Sequence, residues 1–192
     1  MEITLVIEDD VHLNIAKKVI RETAPGLHIG RILGKRGNAY IKKGIRSFNE
    51  ASNIVPYIII TDLDTYECPP ALLAEWFPVK INPRLYFNIA VKEAEAWLLA
   101  DRKSFAGFFG ISERVIDKNP EAISDPKSHI VNIAKKSKIR AIREGLIPQG
   151  TAKVGKLYNT ILGDFIRSSW RVFASAENAE SLERFIDKIK KI

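Results

Sequence analysis

Two short runs of aliphatic, mostly β-branched residues, each ending in acids, constrain this chain more than anything else in it. Ile3-Thr4-Leu5-Val6-Ile7 leads into Glu8-Asp9-Asp10, and Tyr57-Ile58-Ile59-Ile60 leads into Asp62-Leu63-Asp64. Runs this short and this apolar read as strands covered on both faces, as in a parallel sheet. Ligand chemistry in open α/β sheets gathers at the carboxyl ends of such strands. If the two strands are neighbours, Glu8, Asp62 and Asp64 converge on one crevice. Carboxylates held that close repel one another unless a cation joins them, and a hard divalent ion, Mg²⁺ or Mn²⁺, takes oxygen ligands. Alternate residues of a strand face the same side, so Asp62 and Asp64 are expected to reach one ion. Glu8 is expected to share that ion or to act as a general acid or base.

The first hundred residues alternate strand and helix patterns. Strands are expected at 2–8, 27–33, 54–61 and 85–91. Helices are expected from Asp9 or Asp10 to about Thr23, from after Gly37 to about Ser52, after Pro69-Pro70, and from Glu93 to about Ala100. This order implies a Rossmann-like α/β domain, with a parallel sheet of about four strands flanked by helices. After Asp101 the strand signals fade. Helices are expected at 103–109, 112–117, 126–137, 153–167 and 179–192, with Ile147-Pro148-Gln149-Gly150 as a loop. Residues 1–101 therefore read as the α/β core, and residues 102–192 as a helical extension packed on the same domain.

Charge divides the chain at a similar place. Residues 1–125 hold 16 Lys/Arg against 17 Asp/Glu, whereas residues 126–192 hold 14 against 6. A near-neutral part with an acidic cluster, followed by a basic part, suggests a polyanionic partner beside a metal site; a merely solvated basic surface is the alternative. A single cysteine, Cys68, excludes an internal disulfide framework and a cysteine-rich zinc site, and fits a reducing compartment. No apolar stretch approaches membrane-spanning length and no leader pattern opens the chain, so a cytoplasmic location is expected.

Three further segments can carry chemistry. Gly34-Lys35-Arg36-Gly37 lacks the length and the Lys-Ser/Thr ending of a P-loop, but its glycines and the following helix start suit a phosphate; a basic turn in solvent is the alternative. Glu93-Ala94-Glu95-Ala96-Trp97-Leu98-Leu99-Ala100-Asp101 follows the fourth strand. It can send Glu93 or Glu95 into the same crevice, or simply form an amphipathic helix with Trp97 in the core. Lys153 and Lys156 can touch a nucleic-acid backbone or line a solvated helix. His12, His28 and His129 show no metal-ligand spacing.

Val6-Ile7-Glu8 with Ile60-Thr61-Asp62-Leu63-Asp64 resembles the Toprim domain of topoisomerases and primases, which pairs a strand-end Glu with a strand-end Asp-x-Asp. Gly34-Lys35, the Glu-x-Trp-Leu-Leu-x-Asp segment at 95–101, Pro-Glu-x-Ile-x-Asp-Pro-Lys at 120–127 and the Lys/Tyr segment at 153–158 are similar to small bacterial Toprim-like proteins. The resemblance implies an Mg²⁺- or Mn²⁺-dependent nuclease, related to the Toprim halves of overcoming-lysogenisation-defect enzymes and to Toprim partners of ABC-type ATPases in phage defence. By motif, Glu8, Asp62 and Asp64 are implied as catalytic metal-binding acids, with Glu95 as a second-metal ligand. Lys35, Arg36, Lys153 and Lys156 are then the phosphate contacts to DNA or RNA. Asp9 stands where many Toprim domains have Gly, and Thr65-Tyr66-Glu67 stands where many have Gly after the Asp-x-Asp. Leu5-Val6-Ile7-Glu8-Asp9-Asp10 also resembles the opening of a response-regulator receiver, in which Asp62 would be the phospho-acceptor. A receiver needs a fifth-strand Lys-Pro, which is not evident here. A catalytically silent Toprim-like binding module is a third reading.

Overall fold

Alternate side chains of the central strands point to opposite faces, and both faces are dry. In the computed structural model, which describes residues 1–192, the strands are β1 (Glu2–Ile7), β2 (His28–Gly34), β3 (Tyr57–Asp62) and β4 (Leu85–Ala90). They form one all-parallel sheet in the order β2-β1-β3-β4. Ile3, Leu5, Ile7, Ile58 and Ile60 pack on one face, and Val6, Tyr57 and Ile59 on the other. The fold is α/β and Rossmann-like.

Helix α1 (Asp10–Thr23) covers the first face with Val11, Ile15 and Val19, while α2 (Asn38–Ala51) and α3 (Pro69–Trp76) cover the second with Ile41, Ile45, Leu72 and Trp76. The chain leaves β1 toward β2, then returns across β1 to place β3 on its other side. The side on which strands are added thus switches between β1 and β3, and this switch point opens a crevice at the strands' carboxyl ends.

The second half is helical: α4 (Glu95–Ala100), α5 (Arg102–Phe109), α6 (Pro126–Ala134), α7 (Arg140–Leu146), α8 (Tyr158–Ser168), α9 (Val172–Ala176) and α10 (Glu180–Ile189). Its aromatic residues continue the core begun by α1. Phe105, Phe109 and Phe165 cluster together, and Trp97 stacks on Phe185 with ring centroids 5.9 Å apart. Trp170 Nε1 donates to the Trp97 carbonyl at 3.2 Å and to Ser175 Oγ at 2.6 Å, so its buried polar edge is satisfied. The Glu121 carboxylate accepts the Glu180 and Ser181 amides, both at 3.0 Å, and so caps α10, which has no side-chain cap of its own.

Several boundaries differ from those expected. Residues 112–117 hold only a 3₁₀ turn, Glu113–Val115, and α7 and α9 are helices that the sequence pattern did not single out. Residues 153–157 are not helical. Gly155 instead lies against the end of α7, donating its amide to the Leu146 carbonyl at 2.9 Å, and a Cβ there would sit 2.2 Å from the Gly145 oxygen. Tertiary packing outweighs local helix preference there.

Asp101 ties the helical half together. It ends α4, caps α5 by accepting the Ser104 amide at 3.3 Å, and accepts the Arg171 amide and Nε, both at 3.0 Å. Burial pushes its carboxyl up, but Arg171 and Ser104 outweigh burial and hold it below its ordinary value. A carboxyl depressed in the folded state adds stability above its unfolded pKa, and that stability is lost as pH falls through the folded value. Asp101→Asn is therefore expected to cost about 2 kcal/mol at neutral pH in urea titrations, and the deficit should shrink below about pH 4. A deficit constant with pH would count against the ion pair.

Candidate functional site

β1 stops at Ile7, and Glu8 carries on its ladder with a side chain. Glu8 Oε1 accepts the Asp62 backbone amide at 2.8 Å and the Thr61 hydroxyl, bridging the ends of β1 and β3. Asp9 caps α1, accepting the His12 amide at 3.0 Å. That cap places His12 on the first turn with its ring pointing into the crevice, fully buried. His12 Nδ1 lies 2.8 Å from Asp9 Oδ1, and Nε2 lies 3.0 Å from Asp62 Oδ1. Both ring nitrogens face carboxylate oxygens, so both must donate, which requires the imidazolium. Burial alone would lower the His12 pKa, but Asp62 and Asp9 raise it well above the ordinary value. Asp62 Oδ1 also accepts the Ala94 amide at 2.8 Å, drawing the end of β4 to the same point.

Acids crowd this crevice. Burial, followed by the charge of Asp62, pushes Glu8 up to about 7. Glu95 is fully buried and is also pushed up to about 7, chiefly by burial and against the pull of Lys127. Burial raises Glu93 as well, and raises Asp64 with help from Asp62. Asp9 is held below its usual range, because the bonds and charge of His12 outweigh burial. Against these acids stand His12 and Lys127. Lys127 Nζ lies 3.6 Å from Glu95 and 3.9 Å from Glu93, and its own amide donates to Glu93 Oε2 at 2.8 Å. Burial lowers the Lys127 pKa, but Glu95 and Glu93 more than restore it. The Tyr158 hydroxyl donates to Glu95 Oε1 at 3.2 Å, while Glu95 Oε2 is buried with no hydrogen-bond partner.

Backbone strain collects on the same rim. Lys35, Asp64 and Lys92 have φ of 60°, 50° and 62°, and each lies just past the end of a strand. Left-handed backbone at non-glycine residues is uncommon and concentrates at functional sites. Gly34 lets the loop pass over the end of β1, since a Cβ there would sit 2.0 Å from the Ile7 oxygen.

The expected residues are therefore distributed as follows. Glu8 and Asp62 meet; Glu95 makes no bond to either but feels the charge of Asp62, and Lys127 sits against both Glu95 and Glu93. Asp64 is not one of the residues that meet there: the strand ends at Asp62, and past the left-handed turn Asp64 Oδ2 accepts from Asn38 Nδ2 at 2.6 Å, while its carboxyl still feels the charge of Asp62. Lys35 reaches Asp10 at 2.5 Å beside the crevice, and the Arg36 guanidinium lies over the Tyr40 ring. Lys153 and Lys156 are exposed in the loop before α8 and make no ion pair. His12, Lys127 and Tyr158 complete the cluster, although the spacing of the histidines had given no hint of His12. The one signal in the sequence was a histidine placed among the buried residues of α1.

Glu8, His12 and Asp62 each bring one ligand atom within 4.8 Å of the others, so this buried cluster could hold a metal ion, through the two carboxylates alone while His12 stays an imidazolium and with His12 only if it gives up a ring proton. Glu8 Oε2 and Asp62 Oδ2 accept no hydrogen bond from the protein, and these oxygens and Glu95 Oε2 suit a hard cation. Comparison of the chain with protein-family models, curated proteins and solved structures returned no match.

The raised Glu8 pKa has a measurable consequence. A carboxyl whose folded pKa lies above its unfolded value destabilises the fold as pH rises toward and past the folded value. In EDTA, Glu8→Gln, which keeps the acceptor for Thr61 and Asp62, should stabilise the protein by about 2 kcal/mol at pH 8 and by almost nothing at pH 4. Equal effects at both pH values would show that Glu8 is not destabilised by its neighbours.

Proposed function

We propose that this chain performs divalent-cation-dependent phosphodiester chemistry on nucleic acid. The observation that carries the reading is the meeting of Glu8 and Asp62 at the switch point of the sheet, with more buried acid than His12 and Lys127 neutralise. Excess buried negative charge is costly without a cation. Glu8 and Asp62, with Glu95 and Asp64 nearby, are the oxygens that would hold Mg²⁺ or Mn²⁺. A bound ion supplies Lewis acidity toward a phosphate oxygen and lowers the pKa of water.

The protein's own groups have separable tasks. With its pKa raised to about 7 in the ion-free crevice, Glu8 gives up its proton at neutral pH when a cation takes its oxygen as a ligand. His12 fixes one oxygen of Asp62 and leaves the other free. Lys127 and Tyr158 hold Glu95 in place. Lys35, on the loop that wraps the end of β1, stands where a flanking phosphate would meet a positive charge, and the basic helical half extends that attraction. The motif resemblance to Toprim domains supports the same chemistry. The receiver alternative finds less support. Asp62 is 4% exposed, its Oδ1 accepts two hydrogen bonds, from His12 and the Ala94 amide, and the four-stranded sheet offers no fifth strand for a receiver lysine.

The test is cleavage of plasmid DNA, single-stranded DNA and tRNA with Mg²⁺, Mn²⁺ or EDTA. Cutting of at least one substrate is expected with metal only, and Asp62→Asn should slow it by roughly 100-fold or more without changing the circular dichroism spectrum. Cutting that survives EDTA or Asp62→Asn, or no cutting of any substrate with either ion, would remove the proposal.

A further inference from the structure

Away from the acidic crevice, the free edge of the sheet lies at the bottom of a trough of about 350 Å³ between α3 and α10. β4 is an edge strand. The Arg84 and Ala90 carbonyls accept amides from the β3 side, so the even-numbered residues of β4 face β3 and the odd-numbered ones face outward. Phe87 and Ile89 thus present their backbone groups to the trough. The Phe87 carbonyl is covered only by the Lys188 ammonium, 2.7 Å away. A lysine over an edge strand is a common guard against unwanted strand pairing.

Two further observations point to an occupant. Asn88, 2% exposed, lines the trough, and its Oδ1 has no hydrogen-bond partner. Its Nδ2 is already spent on the Ile59 and Tyr86 carbonyls, which leaves the oxygen open to a donor such as a backbone amide of a segment entering the trough. The walls also differ in chemistry. The α3 wall is apolar, with Pro69, Pro70 and Leu73, whereas the α10 wall carries Lys188 and Arg184, the latter paired on the surface with the exposed Glu180 one turn before it. An added strand sends alternate side chains to opposite sides, so a segment alternating apolar and acidic residues matches both walls at once.

We infer that the β4 edge binds an extended segment of a partner protein, with alternating apolar and acidic residues, as a fifth strand. Acidic side chains of the segment pair with Lys188 and take Arg184 from its exposed partner Glu180. Drawing Lys188 off the Phe87 carbonyl frees that oxygen for the incoming backbone, so the guard on the edge becomes the means of recognising acid.

The probe is a fluorescein-labelled hexapeptide of alternating valine and glutamate, with the valine–lysine peptide as control, followed by anisotropy on the full chain. Saturable binding at least ~10-fold tighter for the glutamate peptide is expected, and the R184E/K188E double variant should reverse the preference. Hydrogen exchange on the wild-type protein supplies an independent reading, in which the glutamate peptide slows exchange of the Phe87 and Ile89 amides. Absence of binding, a preference that survives the double charge reversal, or unaltered exchange at those two amides would overturn the inference.

Discussion

The Asp9–His12–Asp62 chain of hydrogen bonds is the interaction on which the crevice depends. One imidazolium joins the acid after β1 to the acid ending β3, and the Ala94 amide brings β4 to the same oxygen. Without a positive group there, Glu8 and Asp62 would face each other in a buried space with only the Thr61 hydroxyl and backbone amides between them. In a medium of low polarity such repulsion is large, and protein sites answer it by protonation, by a counter-charge or by a bound cation. This protein shows the first two. His12 and Lys127 supply charge, and Glu8 and Glu95 move toward neutrality. The third response is what the proposed function adds.

The sheet order makes the congestion unavoidable. β1 and β3 run parallel, so their carboxyl ends lie side by side, and because the winding switches between them the loops leaving those ends part to opposite sides. Loops that cross this rim must turn sharply, and three of them do so with left-handed non-glycine residues. Strain, unbalanced charge and an orphaned carboxylate oxygen on Glu95 therefore sit together at one end of the sheet. The rest of the molecule is packed conventionally, in two apolar layers and an aromatic cluster. The helical half is part of that machinery, since α6 delivers Lys127 and α8 delivers Tyr158 to the crevice, while Glu121 and Asp101 pin the helices that carry the outer core.

What was legible in the sequence was local. The strand runs, the parallel sheet and the positions of Glu8 and Asp62 follow from short stretches whose side-chain pattern has one sensible arrangement. Gly34 and the capping acid Asp9 could likewise be read from their neighbours. The extent of the later helices was less legible. At Gly155 the contact with Gly145 overrides an otherwise helical run, and the short helices α7 and α9 gain their stability from burial of Ile142, Leu146 and Val172 rather than from a long periodic pattern.

The chain by itself thus determined an α/β sheet with acids at two strand ends, because strand formation and alternation act over a handful of residues. Only the tertiary structure decided which charges meet. His12 finds Asp62 across 50 positions and Tyr158 finds Glu95 across 63, distances over which no periodicity carries information. It also decided that Asp64 turns to Asn38, since the end of β3 at Asp62, not the Asp-x-Asp spacing, sets where that side chain points.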